Sequence, residues 1–383
     1  MTMQFRKFGK LDWNVSVLGF GCMRLPTVDG NPHGPNINEA EAIRMIRHAV
    51  EGGVNYFDTA YVYHEGNSEA VLGKALRGQR DLVKIATKCP VWMIQKESDF
   101  DRFLNEQLSR LQTHHIDFYL LHALNKSRWS EIVLKHNLLA RAEAAMGDGR
   151  IRHLGFSFHD NYESFPDIIN GCDCWSFCQI QYNYMDTENQ AGTKGLKLAA
   201  AHGLAVVIME PLLGGRLARP PLPIRQVIER ADVKRSPADW ALQWLWDQPE
   251  VSVVLSGMSN MDQVEANLES ASRARSHSFQ AADLELIADL QQKYRERSAI
   301  PCTQCNYCMP CPNGVDIPGN FEIYNEAFLH EDIPVARFKY KIFVAEPARA
   351  SACVACHDCE DKCPQKIPIS EWMPKVHALL GAA

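Results

Sequence analysis

A (β/α)8 TIM barrel, α/β in class, followed by a small cysteine-rich helical domain, is the fold that the sequence predicts, and three observations carry it. Up to residue 298, eight apolar runs of strand length alternate with amphipathic stretches of helical period. From residue 299 that alternation stops, and eight of the thirteen cysteines crowd into the remaining stretch. No G-x-G-x-x-G follows a strand and opens a helix, which disfavours a Rossmann domain; GFGCM carries only two glycines. A chain of 383 residues is also too long for one ordinary core, so the expected division is a large domain over 1–298 and a smaller one over 299–383.

In chain order, QFRKFGKLDWNVSVL precedes the first repeat and predicts a hairpin over the bottom of the barrel. The strand runs are then VLGFGCM, VNYFDTA, LVKIATK, IDFYLLH, IRHLGFS, FCQIQYN, AVVIMEP and VSVVLSG. Between them, stretches such as EAEAIRMIRHAVEGG and DRFLNEQLSRLQTHH are amphipathic and end in polar or glycine stop signals. Trp240, Trp244 and Trp246 share a helical stretch and read as core. In the tail, IPGNFEIYNEAFLHED predicts a short helix with Phe321, Tyr324 and Phe328 at helical spacing, where they read as shielding core. SEWMPKVHALL predicts another despite Pro374, and strand signal there is scarce.

Forty basic against forty-six acidic side chains leave a net charge of −6, without the basic surface that phosphate backbones demand. Nucleic acid is therefore not an expected partner. MTMQFRKFGKLDW has no apolar core of signal-peptide length, and no stretch approaches the apolar run that spans a bilayer. A cytoplasmic protein without a membrane partner is expected. In that reducing compartment thirteen cysteines read as thiolates for metal or chemistry rather than as disulfides. Cys22, Cys89, Cys172, Cys174 and Cys178 are irregularly spaced and read as structural thiols.

The other eight form two runs, each closed by a proline: Cys302, Cys305, Cys308 and Cys311, then Cys353, Cys356, Cys359 and Cys363. The second run, CVACHDCEDKCP, is similar to the C-x2-C-x2-C-x3-C-P pattern of bacterial ferredoxins, in which three cysteines bind one cluster and the fourth crosses to the other. The first run is one residue shorter before its last cysteine. The resemblance implies a helical dicluster domain with two 4Fe-4S clusters: one on Cys302, Cys305, Cys308 and Cys363, the other on Cys353, Cys356, Cys359 and Cys311. Two structural zinc sites are the alternative. ARFKYKIF, with Arg337, Lys339 and Lys341, reads as a solvated basic face.

In a barrel, chemistry is expected where strands run out into the loops that follow. Asp58 ends the second strand run, Tyr63 lies five residues on, Lys88 ends the third and His122 the fourth. Singly, each has an ordinary reading as cap, loop aromatic or rim residue. Together they bring an acid, a phenol, an amine and an imidazole to one mouth. A free phenol titrates near 10, so proton exchange closer to neutrality benefits from a cation that favours phenolate. Lys88 would supply that charge and lower the tyrosine pKa, Asp58 would hold the ammonium, and His122 would position a substrate oxygen.

Through FDTAYVY, IATK, DFYLLH and GFS, roughly the first 295 residues resemble the aldo-keto reductase family. The resemblance implies that Asp58, Tyr63, Lys88 and His122 form a catalytic tetrad, with Tyr63 protonating a carbonyl oxygen as NAD(H) or NADP(H) exchanges hydride with its carbon. It places Ser157 and Gln179 at the nicotinamide amide, although Phe158 and His159 follow where the family has asparagine. Met209 stands where many members stack tyrosine. Leu213 and Gly214 would let backbone approach a pyrophosphate. Gly257, Met258, Ser259, Gln263 and Asn267 would meet the adenosine end. Between Glu250 and Ser272 there is no lysine or arginine for a 2′-phosphate, a role left to Arg216 or Arg219. Trp92 is expected in the substrate pocket.

Three readings of function follow. The first is an iron–sulfur oxidoreductase that interconverts a small-molecule carbonyl and alcohol, with clusters relaying electrons to a ferredoxin or flavodoxin-like carrier. The second is a barrel enzyme doing proton chemistry, isomerisation or elimination, with structural clusters. The third is an electron-transfer subunit whose barrel is a relic.

Overall fold

Apolar runs of β-branched and aromatic residues, buried along almost their whole length, are what a closed parallel barrel requires, because both faces of each strand are covered. In the computed structural model, which describes all residues except Met1, His33, Thr303, Gln304, 330–332 and Ala383 and only the backbone of Arg295 and Arg297, eight such runs form that barrel. After a two-stranded antiparallel hairpin of β1 (Phe5–Lys7) and β2 (Asn14–Ser16), the barrel strands are β3 (Leu18–Gly21), β4 (Tyr56–Asp58), β5 (Lys84–Cys89), β6 (Ile116–Leu124), β7 (Ile151–Phe158), β8 (Trp175–Gln181), β9 (Ala205–Met209) and β10 (Val251–Ser256). Each pairs in parallel with the next, and β10 closes on β3. All eight expected runs are strands, and the expected hairpin precedes them.

Phe8, at the turn of the hairpin, is fully buried and packs among residues of the barrel strands. Its ring centre lies 4.6 Å from that of Phe118 and 5.7 Å from that of Phe177. Lys10 is held by the carbonyl of Gly203 at 2.9 Å, and Gly9 lies so close to Gly203 and Ala205 that a Cβ would meet backbone at 2.4 Å. Opposite this plug lies the other end of every strand, where the side chains of interest emerge.

The chain forms two compact units, residues 1–214 with 238–278 and residues 215–237 with 279–383. The second unit is helical, with helices over Leu222–Glu229, Ala281–Arg297, Ile317–Leu329, Ile333–Phe343 and Ile369–Leu380, the last containing Pro374. The two expected tail helices are thus present, the first as far as Leu329, since residues 330–332 lie outside the described residues. ARFKYKIF lies within the helix Ile333–Phe343, which the charge reading alone did not anticipate. Buried Asn320 ties that unit together: its amide donates to the carbonyl of Ala348 at 2.9 Å, and its oxygen accepts from the Tyr340 hydroxyl at 2.9 Å and the Ala350 N–H at 2.7 Å. Every one of these groups is satisfied, as a buried polar network demands. Phe321 and Tyr324 are buried as expected, whereas Phe328, on the same face with its ring centre 5.0 Å from that of Tyr324, is exposed in the last turn of the helix.

Two further differences concern cysteine. Cys172 and Cys174 are joined as a disulfide, which the expectation of free structural thiols missed; only one residue separates them. Cys22, Cys89 and Cys178 are free and buried as expected, and burial pushes the Cys89 thiol up to about 12. Among the described residues no helix is long and apolar enough to cross a membrane.

Candidate active site and cysteine-lined cavities

Parallel strands in register deliver their C-terminal residues to one end of the barrel, and the four expected catalytic side chains meet there. Asp58 closes β4, Lys88 sits in β5 and His122 in β6. Lys88 is 1% and Asp58 3% exposed, and the ammonium lies 2.6 Å from Asp58 Oδ1 and 2.7 Å from the Thr59 carbonyl. It also reaches the Tyr63 hydroxyl at 3.4 Å and stands 4.8 Å from that ring's centre. The His122 ring is edge-on to Tyr63 with centres 6.2 Å apart, and Trp92 lies 5.0 Å from His122. Trp92 is thus beside the tetrad, as expected of a pocket residue, and 40% exposed.

Local geometry explains how the loop holds Tyr63 there. His64 and Glu65 both take positive φ, at 51° and 56°, and Gly66 follows at 93°. This tight turn faces Tyr63 toward Lys88 while sending His64 the other way. His64 accepts the Leu25 N–H at Nε2 (3.1 Å), so its Nδ1 donates to the Gly34 carbonyl (2.7 Å). Behind Lys88, buried Glu69 accepts from the Thr87 hydroxyl (2.6 Å), from Gln107 (2.7 Å) and from Arg110 (3.2 Å), while Gln107 also donates to the Lys88 carbonyl at 3.1 Å. Sequence reasoning missed this support. Its signal, one acid in GNSEA and a glutamine in NEQL, is indistinguishable from surface helix chemistry.

Burial and neighbouring charge compete in this pocket, and the winner differs from residue to residue. Burial works against the Lys88 ammonium, but the Asp58 carboxylate and Tyr63 outweigh it and hold its pKa above the lysine value. The expected lowering of the tyrosine pKa is not the net result: burial raises the Tyr63 phenol, and Lys88 recovers only part. His122 is pushed well below the ordinary imidazole value by burial and by Lys88, His159 and Arg128, so it is neutral. Its Nδ1 is buried with no hydrogen-bond partner among the described residues.

The residues expected at the nicotinamide are adjacent: Ser157 and Gln179 are register partners on β7 and β8, and both are buried. Ser157 Oγ accepts the Ala123 N–H at 2.7 Å, which leaves its own proton free to donate. Gln179 Oε1 is buried without a partner among the described residues, the kind of orphan acceptor that an amide N–H would satisfy. Met209 ends β9. Leu213 and Gly214 take positive φ, 48° and 68°, but the Gly214 N–H is already held by the Glu210 carboxylate at 2.6 Å. Glu210 is in turn 3.6 Å from Arg24. Neither Glu210 nor Arg24 was singled out in the sequence.

The adenosine-end residues divide. Gln263 Oε1 accepts the Ser259 N–H at 2.8 Å on an exposed surface, whereas Asn267 turns inward and donates to Ser256 Oγ at 2.9 Å. Gly257 lies beside Arg24, whose Cβ would be 3.8 Å from an added glycine Cβ, and Met258 is buried. Arg216 and Arg219 fall in the segment 215–237 of the second unit.

In that second unit the eight cysteines separate as the crossed pattern implies. Cys302, Cys305, Cys308 and Cys363 line one small cavity, together with Ile317, Phe321 and Ile369. Cys311, Cys353, Cys356 and Cys359 line another, again with Ile317 and Ile369. The first residues of two helices therefore stand between the two sets. Burial and the neighbouring Cys302, Cys305 and Cys363 push Cys308 up to about 12; burial, with Glu360, Cys353 and Cys311, pushes Cys359 up to about 11. Among the described residues no three ligating side chains gather on a single point. Thiols standing around a cavity wall fit a cubane, whose irons occupy its corners. Asn313 Nδ2 approaches Cys356 Sγ at 3.9 Å, and Glu360 accepts both the N–H and the hydroxyl of Ser370 at 2.7 Å, tying the second cysteine run to the last helix.

The aldo/keto reductase family model matches residues 17–289, almost the whole barrel and more than half of the chain. The chain belongs to the aldo/keto reductase family. Residues 301–367 match the 4Fe-4S dicluster domain, so this aldo/keto reductase carries an iron–sulfur domain as well. Among curated relatives, the uncharacterized oxidoreductase YqkF of Bacillus subtilis is 25% identical over 311 residues, covering 71% of this chain and 92% of that protein. L-galactose dehydrogenase of Arabidopsis thaliana is 26% identical over 299 residues, covering 72% and 90%. Among solved structures, an aldo-keto reductase from Bacillus halodurans in its holo form superposes with a TM-score of 0.61 at 28% identity, over 75% of this chain and 96% of that one. One from Klebsiella pneumoniae, in complex with NADPH, shares the fold with a TM-score of 0.61 at 23% identity, over 76% and 96%. The aldo/keto reductase described here is an oxidoreductase of that family.

Proposed function

We propose that this aldo/keto reductase interconverts a carbonyl and an alcohol with NAD(H) or NADP(H), and that two 4Fe-4S clusters relay electrons to a ferredoxin or flavodoxin-like carrier. The observation that carries the reading is the buried Lys88 ammonium, 2.6 Å from Asp58 and 3.4 Å from the Tyr63 hydroxyl, beside the His122 ring. Tyr63 donates its proton to the carbonyl oxygen, and the fixed positive charge of Lys88 stabilises the phenolate left behind. Asp58 keeps that charge oriented. Neutral His122 donates a hydrogen bond to the same oxygen without bringing a competing charge.

The nicotinamide supplies a hydride, and Ser157 and Gln179 are the residues to hold its amide; the orphan acceptor on Gln179 fits that role. The clusters would supply one-electron storage, one electron each for the two that a hydride carries, and would be held by Cys302, Cys305, Cys308 and Cys363 and by Cys311, Cys353, Cys356 and Cys359. The barrel as 1–298 and the cluster domain as 299–383 remain the functional division we adopt, in a cytoplasmic setting.

One observation favours the proton-chemistry reading: the Glu210 carboxylate already holds the Gly214 N–H that a pyrophosphate would use. Anaerobic titration of the purified protein with NADH, NADPH and dithionite decides between them. Bleaching of the cluster absorbance by a reduced nucleotide is the expected result. Failure of both nucleotides to bind overturns it in favour of isomerisation or elimination by Tyr63 and Lys88.

A further inference from the structure

Arg128 lies six residues beyond His122 in the segment after β6, and its guanidinium is partly buried. It gives one side-chain hydrogen bond, from Nη1 to the Ala123 carbonyl at 2.6 Å, and pairs with no carboxylate among the described residues. The nearby acid Asp160 is already engaged: it accepts the Lys126 N–H at 2.8 Å, the Asn161 N–H at 2.8 Å and the Ser164 hydroxyl at 2.9 Å. A guanidinium has five donors in a planar fork. Most of those on Arg128 are unspent.

Its placement points at the tetrad. The guanidinium carbon stands 5.2 Å from the ring centre of Trp92, and the same indole lies 5.0 Å from the His122 ring. Ala123, between them in sequence, takes a positive φ of 56°, rare for a residue with a side chain and costly unless something fixes it. What fixes it is a pair of bonds in opposite directions: its N–H to Ser157 Oγ and its carbonyl to Arg128. The twist at Ala123 is therefore held by Ser157 on one side and by Arg128 on the other. His122 and His159 both feel the positive charges of Lys88 and Arg128 there, and the buried Asp58 carboxylate is committed to Lys88.

We propose that Arg128 binds a carboxylate on the substrate, so that the molecules turned over are carbonyl or alcohol compounds bearing a carboxylate, held with Trp92 packed against the substrate body. This rests on the carbonyl-reductase reading for the reaction, but the anion recognition does not. A fork of free donors in a half-buried pocket matches a carboxylate bidentately, and leaving such a group unpaired costs more than pairing it.

The test uses full-length, cluster-loaded protein with 4-carboxybenzaldehyde and its neutral methyl ester as paired substrates, and benzoate as an unreactive probe read by tryptophan fluorescence. Wild type is expected to prefer the acid over the ester by roughly ten- to a hundredfold in kcat/KM, expressed in KM. In Arg128→Met that ratio falls toward one and benzoate binding weakens by a similar factor; Arg128→Lys restores part of both. Iron content and circular dichroism establish that each variant is folded. No preference in wild type, with benzoate held equally by wild type and Arg128→Met, overturns the proposal. If neither aldehyde is turned over yet benzoate binding still depends on Arg128, anion recognition stands and the carbonyl reading falls.

Discussion

The Lys88 ammonium sits 3.4 Å from the Tyr63 hydroxyl and is buried with it against Asp58. At that separation, with both groups buried, the charge favours phenolate more than it would at the surface. Tyr63→Phe removes the hydroxyl and keeps the ring, and is expected to lower carbonyl turnover by about a hundredfold or more. Lys88→Met should do the same, with the double variant little worse than either single one. Iron content should not change. Steady-state kinetics check this, and full turnover by Tyr63→Phe would refute the assignment.

The two directions of the reaction should respond oppositely to pH. Burial raises the Tyr63 phenol above its ordinary value of 10.0, so it is protonated below that and loses its proton only as pH rises through the raised pKa. Reduction, which needs the proton, should hold level from about pH 6 to about pH 10 and fall beyond; oxidation, which needs phenolate, should rise across that range. His122 adds no step near pH 6.5, because its pKa lies well below that value. Profiles of kcat/KM in both directions test this, and an inflection near neutrality in reduction counts against it.

Iron and acid-labile sulfide should each reach about eight per chain after anaerobic purification, two cubanes' worth. Cys363 shares its cavity with Cys302, Cys305 and Cys308, and Cys311 shares its cavity with the second run. Cys363→Ser and Cys311→Ser should therefore each damage a different cluster, resolvable by electron paramagnetic resonance. Loss of the same cluster in both would show that the ligands do not cross, and stoichiometric zinc without sulfide would exclude clusters.

For nucleotide choice, NADH is expected to bind at least as well as NADPH, because no cation lies between Glu250 and Ser272. Glu210→Ala frees the Gly214 N–H and removes a negative charge, so either nucleotide should bind several-fold more tightly, by about one hydrogen bond's worth. Fluorescence titration measures both. A strong NADPH preference that vanishes with Arg216→Ala or Arg219→Ala would relocate the phosphate site.

Phe8 is the stability test. It is wholly enclosed at the hairpin, against Tyr56, Phe118 and Phe177, so Phe8→Ala should cost about 3–5 kcal/mol in urea denaturation. Unchanged stability would mean that the hairpin is not a plug.

The barrel was legible because its signal is local and repeated: each strand run carries its own β-branched, buried pattern, and eight in succession close only one way. Asp58, Tyr63, Lys88 and His122 were legible because each stands at or just beyond the end of such a run. The cysteine runs were legible from spacing. What was not legible depended on residues far apart in sequence sharing a small volume. Glu210 reaches Arg24 across 186 positions' worth of chain, and nothing near either one marks it. The net direction of the Tyr63 shift was misjudged for the same reason, since burial is a property of the assembled pocket and the neighbouring charge is only one contribution to it.

By itself, the sequence determined the fold class, the order of the strands, the chemical types at their ends and the grouping of thiols, because periodicity, spacing and residue chemistry are written along the chain. Only the tertiary structure decided which hydrogen bonds are already spent and which donors are left over. It put Glu210 on the Gly214 amide, turned Asn267 inward, joined Cys172 to Cys174, and left Arg128 beside Trp92 without a carboxylate partner among the described residues. The physical reason is that a polar group's partner is fixed by distance in space, and distance is set only when every strand and loop has been packed.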